Sequence, residues 1–67
     1  MSFTVFKSKV NALIRRAGGG IKVRFEHDTD KGRFCANCSD GTMIIGNPTS
    51  LRVTVNFGSG HTAMVTL

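Results

Sequence analysis

Phe3, Phe6, Val10, Leu13, Ile14 and Ala17 recur at spacings of three and four, which places them on one stripe of an α-helix. Ser2 can cap the start of that helix, and Gly18 can take the left-handed conformation that ends it. After Gly18-Gly19-Gly20 the period changes from helical to alternating. Ile21, Val23, Phe25 and His27 fall on one side, and Lys22, Arg24, Glu26 and Asp28 on the other, the pattern of a half-buried strand. Asp28-Thr29-Asp30-Lys31-Gly32 supplies a turn, and residues 33–38 return with Phe34, Ala36 and Cys38 on one face. Ser39-Asp40-Gly41 turns the chain into Met43-Ile44-Ile45, and Gly46-Asn47-Pro48-Thr49-Ser50 breaks it again. Leu51, Val53, Val55 and Phe57 then alternate with Arg52, Thr54 and Asn56, and Gly58-Ser59-Gly60 leads into a last strand over 61–67.

Connections this short force neighbouring strands to run antiparallel, and the helix must cover one sheet face for both apolar surfaces to be buried. The expected fold is therefore α+β: one N-terminal amphipathic helix on a four- or five-stranded antiparallel meander, with residues 1–67 as a single small domain. The stripe also predicts that a charge at Leu13 destroys cooperative unfolding. A chain of 67 residues sits near the lower limit for a self-sufficient apolar core, leaving room for support from a metal, a partner or a homo-oligomer.

Composition excludes several classes. A hydrophobic fraction of 40% argues against a disordered tail, and no apolar run approaches the roughly 18 residues of a membrane span. No apolar block near the start is followed by a small-residue cleavage site, and two cysteines three positions apart do not staple distant segments. The expected location is cytoplasmic.

Charge is polarised. The first 24 residues carry Lys7, Lys9, Arg15, Arg16, Lys22 and Arg24 with no acid, whereas all four acids lie within 26–40, accompanied there by Lys31 and Arg33. Such a field steers a protein toward a polyanion or an acidic partner surface. With the helix covering the face of Val23, Phe25, Val53 and Val55, the residues Lys22, Arg24, Arg33 and Arg52 project from the other face with Thr54 and Asn56, a pattern suited to phosphates. All five phenylalanines occupy expected core positions, and the chain has no Trp or Tyr. A stacking platform for single-stranded bases is thus not apparent, and duplex DNA is the favoured nucleic acid.

The remaining candidate chemistry is weaker. Cys35, Cys38, His27 and His61 supply thiolates and imidazoles, but a zinc site normally joins two closely spaced ligand pairs, and a strand through Cys38 would put the two cysteines on opposite faces. The expectation is two reduced cysteines with no metal and no cofactor. Asp28-Thr29-Asp30-Lys31-Gly32 lacks the distal glutamate of a calcium loop. Gly18-Gly19-Gly20 lies at the negative end of the helix, which repels phosphate. A ribonuclease using His27 or His61 with Lys31 or Arg33 has no positioned acid–base pair. The leading expectation is a non-enzymatic protein contacting nucleic-acid phosphates through Lys7, Lys9, Arg15, Arg16, Lys22, Arg24, Arg33 and Arg52, with low sequence specificity. The alternative is an interaction module that docks on a larger protein and modulates or inhibits it, as accessory proteins of phages and mobile elements do.

Overall fold

The computed structural model describes residues 1–58 and 60–67. The described residues form one helix, α1 (Phe3–Arg16), and five strands, β1 (Val23–Asp28), β2 (Arg33–Cys38), β3 (Met43–Gly46), β4 (Arg52–Asn56) and β5 (Thr62–Thr66). The strands form one antiparallel sheet in the order β1-β2-β3-β4-β5, with α1 packed on one face, the expected α+β arrangement with five strands. Of the expected Gly58-Ser59-Gly60 turn, Ser59 lies outside the described residues.

Local chemistry sets the element ends. Ser2 Oγ accepts the Val5 N–H at 3.1 Å, satisfying one of the unpaired donors of the first helical turn. At the other end Gly18 has φ of 104°, a conformation that side chains disfavour, and the Gly19 N–H closes back on the Ile14 carbonyl at 3.0 Å. Short polar residues order the connections. Asp28 Oδ1 accepts from the Lys31 N–H, Asp40 Oδ1 from Thr42, Asn47 Oδ1 from Thr49 and Asn56 Oδ1 from Gly58. Ser39 ties the segment before β1 to the β2–β3 turn, donating its N–H to the Lys22 carbonyl and accepting the Lys22 N–H on Oγ.

The inward face follows strand alternation. Register pairs His27 with Phe34, Phe25 with Ala36, Ala36 with Ile44, Ile44 with Val55 and Val53 with Val65, so these residues share the side that α1 covers. Phe6 and Val10 drop from the helix onto Phe34, Ala36, Ile44, Val53 and Val55 to make the buried core. Each large side chain removed from water there contributes about 1.5–3 kcal/mol. Aromatic rings extend this core toward β1, with Phe6 at 5.5 Å from Phe34 and edge-on to Phe25 at 6.1 Å.

Several residues of the expected apolar faces are not buried, Ala17 at the end of the helical stripe among them. Leu51 is 48% and Phe57 51% exposed, because β4 ends inside both of them and they lie at its opposite ends, beyond the buried Val53 and Val55. Leu13 is also only half-buried, at the margin of the helix–sheet contact. No helix among the described residues is long and apolar enough to cross a membrane.

Candidate nucleic-acid interface

The helix presents its cations away from Phe6 and Val10. Lys7 and Lys9 are half-buried along their stems, while Arg15 and Arg16 are exposed in the last turn, where the negative end of the helix dipole favours positive charge. Lys7 Nζ lies 4.9 Å from the centroid of the Phe3 ring, a cation–π contact one helical turn apart. Phe3 is itself held between His27 at 5.1 Å and Phe34 at 5.3 Å, so Lys7 is tethered to an ordered aromatic group. Lys9 and Arg16 flank a shallow groove floored by Ala12, Leu13, Thr66 and Leu67. Lys22, exposed just before β1, lies with Arg24, Asn37 and Ser39 around a separate shallow hollow.

The opposite sheet face is electrically different. Arg24, Arg33 and Arg52 do project from it with Thr54 and Asn56, but Glu26 and Asp28 share it. Arg24 Nε stands 3.6 Å from Glu26 Oε1, and Arg33 Nε 3.6 Å from Asp28 Oδ2 on the neighbouring strand. The first pair is well exposed, so its energetic worth is small, yet each acid cancels the long-range field of its partner. Arg52 stands on β4, three strands away from β1. The eight cations therefore do not form one surface. Four lie on the helix, Lys22 follows it, and three lie on a sheet face that also carries two acids.

Between those charges the outer face carries apolar side chains among neutral polar ones. Met43 and Ile45 of β3 and Met64 of β5 point there, Ile45 standing beside Cys35 and Thr54, and Met64 beside Thr54. Met43 is 37% and Met64 63% exposed. Reasoning from alternation along single strands missed this patch, because its members come from two strands that are not neighbours and are related only by register. The signal was the uninterrupted Met43-Ile44-Ile45 run, which must place apolar side chains on both faces of the sheet.

The cysteines and histidines are dispersed. Cys35 projects on the outer face and Cys38 on the helix-covered face, opposite Val23. His27 lies on the helix-covered side as well, but four residues along β1 from Val23, roughly 13 Å at the rise of a strand. Its ring stacks on Phe3 and meets Phe34 edge-on at 4.9 Å, and His61 is exposed before β5. Among the described residues no three metal-ligating side chains gather. The Cys38 thiol is pushed up from its ordinary value by burial and then by the Asp40 carboxylate, while Asp40 is held down by the Thr42 N–H and side chain. Asp40→Asn should therefore lower the Cys38 pKa and speed its alkylation at mildly alkaline pH. Thiolate absorbance would check this, and an unchanged titration would remove Asp40 as a cause. The sign for Asp40 itself follows from its depressed value: its contribution to the turn is present above the ordinary 3.8 and is lost as pH falls through the lower folded value.

No protein-family model, curated protein or solved structure gives a significant match to this chain.

Proposed function

We propose that the chain is a cytoplasmic, non-enzymatic protein that binds nucleic acid, duplex DNA foremost, through phosphate contacts made by Lys7, Lys9, Arg15, Arg16 and Lys22. The observation that supports this reading is where the net charge resides. Of the formal +5, all is accounted for by those five residues, because the four cations after them, Arg24, Lys31, Arg33 and Arg52, are matched in number by Glu26, Asp28, Asp30 and Asp40. A polyanion approaching the protein meets its positive field at the helix. Contacts of lysine and arginine to phosphates fix orientation and carry little base information, so binding is weakly sequence-specific.

A duplex-DNA titration over salt tests the proposal. Affinity should fall log-linearly with salt and change little when the sequence is scrambled. Replacing Arg15 and Arg16 together by Ala should weaken binding to all sequences and flatten the slope by roughly two units, one per lost contact. Replacing Arg24 and Arg52 should leave the slope in place. An effect confined to the second pair would move the interface to the sheet, and no binding by the parent at low salt would end the nucleic-acid reading.

A second reading, docking on a larger protein in the manner of a phage or mobile-element inhibitor, is favoured by the uncovered patch of Met43, Ile45 and Met64. Exposed apolar groups rimmed by Arg24, Glu26 and Arg52 resemble the centre and rim of a protein interface.

A further inference from the structure

The two edges of the sheet differ in a way that the nucleic-acid reading does not use. β1, one edge, carries Arg24, Glu26 and Asp28, charges of the kind that keep an edge from pairing with another chain. β5, the other edge, reads Thr62-Ala63-Met64-Val65-Thr66, with no charge, no proline and no glycine. Among the described residues, nothing pairs with its outward side.

The hydrogen bonds around β5 settle which groups point outward. The Leu67 N–H donates to the Leu51 carbonyl at 2.8 Å, and the Phe57 N–H to the His61 carbonyl at 3.0 Å. In an antiparallel ladder the bonded pairs alternate, so 61, 63, 65 and 67 direct their N–H and C=O groups at β4. Thr62, Met64 and Thr66 direct theirs at the open edge. We infer that this edge pairs antiparallel with β5 of a second copy of the chain, about a two-fold axis through Met64, to give a continuous ten-stranded sheet.

The occupant is argued from self-complementarity. With Met64 opposite Met64 of the second copy, Thr62 falls opposite Thr66, and each pairing joins two residues whose donors and acceptors both face the edge. All six outward backbone groups are then satisfied. A shift of two residues in either direction leaves some unpaired, and a shift of one sets outward groups against inward ones. The side chains agree with the same register: Val65 meets the smaller Ala63 on the helix-covered face, and Met64 meets Met64 on the outer face beside the apolar patch. Both helices then lie on the same side of the joined sheet. Strand pairing alone buries less than the roughly 1,000 Å² of a standard stable interface, so the dimer forms in a concentration-dependent way.

Sedimentation of the full chain over a range of concentrations tests this, read together with amide hydrogen exchange. The parent should approach twice the monomer mass as concentration rises, with the Thr62, Met64 and Thr66 amides becoming protected together. Met64→Pro removes an outward N–H that β4 does not use, and should give a folded monomer. Met64→Lys provides a second variant that leaves the backbone unaltered. Its ammonium would stand directly opposite its copy, and because the Met64 side chain is 63% exposed the fold should tolerate it. A parent that stays monomeric at roughly 1 mM, where even a weak complex populates, overturns the inference. So does a dimer that survives Met64→Lys unchanged, or one in which the three amides exchange as freely as in dilute solution.

Discussion

Val10→Asp should abolish the cooperative unfolding transition. Val10 is completely buried between α1 and the sheet, and no buried polar side chain among the described residues could receive a carboxylate there. An unpaired charge in such a site costs several kcal/mol, and a 67-residue domain holds only about 3–10 kcal/mol in total. Leu13→Asp provides the contrast and corrects what the apolar stripe implies. Leu13 is half-buried and lies beside Lys9 and Arg16 in the open groove, so an acid at 13 remains hydrated and gains partners four residues before and three after it. That variant should keep a cooperative melt with a modestly lowered midpoint. Thermal unfolding followed by circular dichroism separates the two. If Val10→Asp melts like the parent, the helix does not cover the sheet as described.

Gly46→Ala is expected to be the next most damaging small change. Gly46 is buried at the end of β3 opposite Phe34, and a methyl group there would stand 3.0 Å from Phe6 Cε1, 3.1 Å from Phe6 Cδ1 and 3.2 Å from Val53 Cγ1. Phe6 is wholly buried and hemmed in by Phe3, Phe25 and Phe34, so its ring has little freedom to yield. Overpacking of this kind costs about 1–3 kcal/mol, and each kcal/mol lowers Tm by roughly 4–8 °C in a domain of this size. Shortening the opposing ring should compensate. Gly46→Ala combined with Phe6→Leu should lose less than the two single variants together, because the added methyl enters space that the ring vacates. Losses that simply add, within about 0.5 kcal/mol, would show that the two residues do not press on each other.

How far the candidate interface could be read without tertiary structure depends on the residue. For Lys7, Lys9, Arg15 and Arg16, helical spacing was enough: with Phe6 and Val10 turned to the core, cations at these positions lie off the buried stripe whatever the sheet does. For Arg24, Arg33 and Arg52, alternation correctly assigned the face but not its electrostatics. That required the register placing Arg33 opposite Asp28, a contact between strands. Asp28 lies five residues before Arg33 in the chain, and only a hairpin of that particular register makes them partners.

Periodicity along the chain determined the helix, the strands, the antiparallel order and most of the core, because each is a local pattern or the consequence of a short connection. Ser2, Gly18 and the Asx-led turns then set where elements start and stop. Only the assembled fold decided how far along β4 the covered face extends, and its limits leave Leu51 and Phe57 exposed beyond the buried Val53 and Val55 despite their place in the alternation. The same assembly decided which edge is charged, which backbone groups of β5 face outward, and that Met43, Ile45 and Met64 share one face, with Thr54 between Ile45 and Met64. These are properties of register and coverage, which arise between elements distant in sequence, and no pattern within one element contains them.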